Sequence, residues 1–219
     1  PATAAMQITD FISARTNLGV TVLLSLVYLF VTIRSSRAKP LTKGELNKYK
    51  LAVEQCLGSA LLQYYDLYSE NQNCNIRLNV MLPTRGPGKK EYLQIYFTGC
   101  SNYAQYNSNE SIVRWNYGQG MCGMAWNNPA SSLFTTDVDG KHQKFGAPLT
   151  REQLKICGYL TIVRSQAIVD QHGKVIGVLS MDSDADPETL YFETNEVIAI
   201  FEKCRYILSY LLPTDGVRV

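Results

Sequence analysis

TIVRSQAIVDQHGKVIGVLSMDS, residues 161–183, holds two apolar runs, TIVRSQAIVD and VIGVLSMDS, joined by QHGK. Val, Ile and Leu crowd both runs, the composition of strands packed on a core. His172 and Gly173 stand where the chain must reverse, and glycine supplies the backbone freedom that a tight turn needs. The stretch therefore predicts an antiparallel hairpin and, with it, an antiparallel sheet.

Working outward, a second hairpin is written nearer the N-terminus. IRLNVML at 76–82 and YLQIYF at 92–97 alternate, and PTRGPGKK between them is a Pro- and Gly-containing loop. Before it, Leu46, Leu51, Val53, Leu57, Leu61 and Leu62 recur at three- and four-residue spacing, which predicts an amphipathic helix over 42–67. A looser, Asn-, Ser- and Tyr-rich stretch at 98–110 leads to IVRW and then to GQGMCGMAWNNP at 118–129. Three glycines there do not make a dinucleotide fingerprint, because no strand–helix–strand unit follows and Asn128-Pro129 stops the helix after about two turns. The reading is a strand-to-helix turn feeding a short helix over 121–127. Residues 129–152 are polar and irregular, with a short helix at 150–155 capped by Thr150. After the hairpin, the acidic run DSDADPE precedes a last amphipathic helix over 192–212, with a start near Glu188 favoured by the helix dipole. The fold class is α+β, an antiparallel sheet with helices packed on one face.

At the other end, TNLGVTVLLSLVYLFVTI (16–33) carries no charge and lies between Arg15 and the basic cluster Arg34, Arg37, Lys39 and Lys43. A bilayer core of about 30 Å needs about 20 helical residues, so this predicts a single transmembrane helix over 16–34 at the short end of the range. The basic flank follows the span, and no Ala-x-Ala site is present, so the segment reads as an uncleaved anchor with the following domain cytoplasmic. The layout expected is a short segment 1–15, the span 16–34, a basic linker 35–45, one domain 46–212 and a tail 213–219. The net charge is +2, and its excess sits in the linker, which suits anionic lipid and excludes a nucleic-acid surface. Six cysteines without a CxxC pair, and only two histidines, exclude a zinc site. In a reducing compartment the thiols stay free.

The series Gly118, Gly120, Gly123, Ala125 and Trp126, then Arg164-Ser165 opening a strand, Gly173 to Ser183 with Asp182, and Phe192 before the last helix, resembles a GAF domain over about 46–212. That resemblance implies a PAS-like plan, with an antiparallel sheet, terminal helices that pair copies of the chain, and a pocket between the sheet and the loops opposite. It also implies a sensing module that binds a small molecule or a partner and signals through a separate output protein. Candidate pocket residues are Tyr96, Trp115, Tyr117 and Trp126 for stacking on a planar ligand, Arg114 for an anionic group, and Cys122, Cys157 and Asp182.

One GAF group reduces free methionine sulfoxide, and the chain resembles it at Cys122 and Cys157. Of the acids that this chemistry uses, Asp182 is present, while Ser180 and Gln166 stand in other acidic places. No Cys–His arrangement for a bilin, no clear haem ligand and no cyclic-nucleotide motif is recognisable, so no cofactor is expected. The expectation is a membrane-anchored, oligomeric, non-catalytic sensor, with the bilayer, an output protein and an unidentified small molecule as partners. A ligand-gated membrane effector is the main rival, and a thiol reductase comes third.

Overall fold

The computed structural model describes residues 43–85, 90–101, 108–136, 148–214 and 217–218. The chain begins with helix α1 (Lys43–Leu67), followed by a 3-10 turn at Ser69–Asn73 and the strands β1 (Ile76–Arg85) and β2 (Glu91–Cys100). A 3-10 turn at Ser108–Ile112 precedes helix α2 (Gly120–Asn127), strand β3 (Leu133–Thr135) and helix α3 (Arg151–Cys157). Strands β4 (Ile162–Val169) and β5 (Val175–Ser183) form the hairpin, and helix α4 (Asn195–Leu211) and strand β6 (Val217–Arg218) follow.

Five strands make an antiparallel sheet in the order β2-β1-β5-β4-β3, and β6 runs parallel to the far end of β1. The hairpin turn is held by Asp170, whose carboxylate accepts from the backbone N–H of His172 and of Lys174, with Gly173 at φ +76°. Between β1 and β2 the register slips: Val80 faces Phe97, but Met81 faces Ile95. Tyr96 is thus an extra residue, a β-bulge, and side chains on either side of it change faces of the sheet.

The sheet separates two cores. On one face lie α1 and α4, with Leu57, Leu61, Phe201 and Leu208 buried, and Gly99 lets α1 approach so closely that a Cβ there would stand 2.7 Å from Leu57 Cβ. The Tyr64 hydroxyl donates to Leu190 O at 2.7 Å, and its ring meets Phe192 edge-on. On the other face, Met81, Leu93, Ile95, Val113, Trp115, Ala125, Trp126 and Val178 form a second cluster beneath α2 and α3. The expectation of helices on one face only is corrected here, because the sheet is covered on both.

Four further expectations shift. Leu51 and Leu62, assigned to the apolar stripe of α1, are 67% and 68% exposed, whereas Leu46, Val53, Leu57 and Leu61 carry the packing. The last helix begins at Asn195 rather than near Glu188, because Thr194 takes the cap and accepts from Val197 N; Pro187–Thr189 forms a separate 3-10 turn. The strands of the first hairpin run past the predicted ends, with Pro83 accommodated in β1. Inside the stretch read as irregular, β3 pairs antiparallel with β4. The predicted transmembrane segment at 16–34 lies outside the described residues. Among the described residues no helix is long and apolar enough to cross a membrane.

Candidate ligand site

Helix α2 sits on the sheet because its entry turn has no room for side chains. Gly118 and Gly120 adopt φ of +74° and +56°. A Cβ on Gly123 would fall 2.2 Å from Asn116 O, so only glycine fits. Gly118 N donates to Gly123 O and Gly123 N to Gln119 O, closing the turn. A buried pair of amides then ties the starts of the two short helices together: Gln119 Nε2 donates to Gln153 Oε1 at 2.8 Å, and Gln153 Nε2 donates to Arg114 O at 2.7 Å. Gln153 also completes a capping box with Thr150, the cap expected from the sequence. The outcome is a fixed position for Cys122 and Cys157 above β4 and β5.

The sheet beneath carries a buried charged group. Arg77 on β1 is 1% exposed and lies directly opposite Asp182 on β5, as Asn79 lies opposite Ser180. Arg77 Nε donates to Asp182 Oδ1 at 2.6 Å, and Nη1 donates to Glu110 Oε1 at 2.8 Å and to the Tyr159 hydroxyl oxygen at 2.8 Å. Tyr159 in turn donates to Glu110, Asn79 Nδ2 donates to Asp182 Oδ2, and Thr98 Oγ1 donates to Asn79 Oδ1. Two carboxylates surround one guanidinium, so the fully ionised cluster is one unit negative. Burial alone would lower the Arg77 guanidinium, but Asp182 and Glu110 beside it hold it above its ordinary value. The Asp182 carboxyl is pushed up by burial, Arg77 pulling against this and Glu110 adding to it.

Above this floor is a cavity of about 60 Å³. Its walls include Asn79, Met81, Ile95, Glu110, Trp115, Met121, Cys122, Cys157, Ser180 and Asp182. Since a water needs about 10–15 Å³, the space holds a few waters or the head of a small ligand. Burial raises the Cys122 thiol to about 11, against hydrogen bonds from Ser165 and Ser180, and raises Cys157 to about 12, helped by Glu110 and Asp182. Both are thiols, not thiolates, at neutral pH. Cys122 Sγ lies 3.5 Å from Ser165 Oγ, which donates to Ser180 Oγ at 3.1 Å.

Of the residues named from the sequence, Trp115, Cys122, Cys157 and Asp182 line the cavity. The other four do not. Tyr96 is the bulged residue, and its hydroxyl meets Thr84 Oγ1 at 3.1 Å. Arg114 lies over the Tyr92 ring, 4.5 Å from its centroid. Tyr117 is 59% exposed and contacts Trp126 edge-on, and Trp126 packs in the hydrophobic cluster rather than on the cavity. Sequence reasoning missed Arg77, Asn79, Glu110 and Tyr159. The signal for the first two was present: Arg-x-Asn on one strand stands against Ser-x-Asp on another, and alternation places each pair on one face.

No family model matches the chain, and no curated protein matches it. Among solved structures, a type II free methionine-R-sulfoxide reductase from Thermoplasma acidophilum is similar over 78% of this chain and 99% of its own, at 16% identity and TM-score 0.47. A GAF domain from an Acinetobacter phosphoenolpyruvate-protein phosphotransferase is similar over 86% of this chain and 90% of its own, at 13% identity and TM-score 0.45. A further GAF domain covers 81% of this chain and 93% of its own, at 16% identity and TM-score 0.46. The expectation of a non-catalytic domain does not stand as made: the structures similar to this chain include a reductase beside the GAF domains. With its five-stranded antiparallel sheet, flanking helices and glycine-shaped entry to α2, the described domain is an α+β fold similar to that of these GAF domains.

Proposed function

We propose that the domain is a sensory, ligand-binding module whose cavity takes a small molecule with a cationic or multiply donating head, such as an amine. The observation that carries this reading is the buried floor of Arg77, Glu110 and Asp182, with one more carboxylate than cation directly under an open space. An ammonium group placed there completes the charge balance, and Ser180 and Asn79 offer it further acceptors. Calorimetric titration of the full chain with free amino acids, with their amine-acetylated forms and with simple carboxylates tests it. Amine-bearing compounds should bind, and the Asp182→Asn variant should weaken them at least tenfold. Equal binding of the acetylated forms would sink the reading.

A second reading, thiol-dependent reduction of free methionine sulfoxide, is favoured by the placement of Cys122 and Cys157 on one cavity wall. It requires a bound substrate to draw the proton from a thiol that burial holds at about 11 or 12. Turnover of the free sulfoxide with thioredoxin, abolished by Cys122→Ser, is its test. In either case the uncharged run at 16–33 serves as a membrane tether and α1 and α4 pair copies of the chain.

A further inference from the structure

On the sheet face away from the cavity, α1 and α4 bring two thiols into contact. Cys56 Sγ and Cys204 Sγ are 3.7 Å apart, and Cys56 Sγ also reaches Cys204 O at 3.9 Å. The two residues are 6% and 2% exposed. Ala52 and Ala60 stand one turn before and after Cys56 on the same stripe of α1, both buried, so small side chains let the helices lie close at this point. Neither cysteine borders the cavity, and each thiol meets the other residue of the pair.

We propose that Cys56 and Cys204 form a reversible disulfide that clasps α1 to α4. The two sulfurs need to close from contact to a bond of about 2.05 Å, a change within reach of side-chain rotation. Hydrogen peroxide is a sufficient oxidant. One thiolate attacks a peroxide oxygen, the O–O bond breaks, and hydroxide leaves to take up the released proton as water. The sulfenic acid so formed is attacked by the second sulfur; the S–O bond breaks, the S–S bond forms, and the departing hydroxide takes the second thiol proton as another water. Two thiols are oxidised by two electrons, and one peroxide becomes two waters. A dithiol reverses the change by exchange. The bond closes a sequence separation of 148 residues, which strongly restricts the unfolded chain.

Peptide mapping of the full chain, without reduction, after hydrogen peroxide and alkylation of remaining thiols, tests the clasp. The expected product is a peptide containing Cys56 linked to one containing Cys204, lost on adding dithiothreitol, with a thermal midpoint roughly 5–15 °C higher in the oxidised protein. Cys56→Ala should show neither the linked peptide nor the peroxide-induced rise. Recovery of both residues as alkylated thiols once the more exposed Cys74 has been oxidised overturns the proposal, as does linkage of either to another cysteine. If Cys56→Ala fails to fold, mapping of the unsubstituted chain decides alone.

Discussion

Arg77 shows how far a single side chain can matter to this fold. It is the largest fully buried side chain among the described residues, and it is tolerated only because Asp182 and Glu110 meet it. Arg77→Met would leave two carboxylates buried together, so we expect a loss of about 3–5 kcal/mol in urea unfolding, partly restored by adding Glu110→Gln. Asp182 is the titrating member. Its folded carboxyl lies above its ordinary value, so between the unfolded and the folded values the native state keeps a proton that the unfolded chain has released. Its contribution is whole below the unfolded value of about 3.9 and is lost as pH rises through the higher folded value. Stability of Asp182→Asn should lack that fall, which urea midpoints measured from acid to neutral pH will show. The Cys122 and Asp182 positions were legible through the resemblance to GAF domains that the glycine-shaped turn and the hairpin carry. Arg77 and Glu110 were not, since an arginine on an alternating strand is ordinarily solvated and only the pairing of β1 with β5 turns it inward.

Elements are specified unevenly. Both hairpins, α1 and the two short helices were readable, because turn residues, capping residues and apolar spacing agreed over each of them. Strand β3, three residues long, has too little pattern to be read, and it exists because the edge of β4 offers it hydrogen bonds. The entry to α2 is the most exacting element. Gly123→Ala puts a methyl group into Asn116 O and should cost about 2–3 kcal/mol, with loss of ligand binding as α2 lifts from the sheet. Thr150→Ala opens the capping box of α3 and should cost about 1 kcal/mol, with a smaller effect on the cavity. Thermal and urea denaturation of the two variants side by side will rank them.

For the molecule as a whole, the proposed tether rests on the sequence alone: an uncharged run and a basic flank precede a folded unit that has its own two-sided core. We expect the full chain to sediment with membranes after alkaline carbonate washing, and a form lacking residues 1–42 to stay in the supernatant. What could not be read from one-dimensional periodicity was which side of the sheet each strand serves, because the parity of β2 changes within it.

That change rests on Tyr96 alone. On its C-terminal side Phe97 and Gly99 belong to the helical pair, while on its N-terminal side Leu93 and Ile95 belong to the cluster under α2 and α3, Ile95 on the cavity wall. Deleting this one tyrosine restores an unbroken two-residue rhythm and rolls half a strand over, carrying Leu93 and the wall residue Ile95 to the wrong chamber. A shortening of one codon would therefore empty the binding space while leaving every charged group on its floor in place.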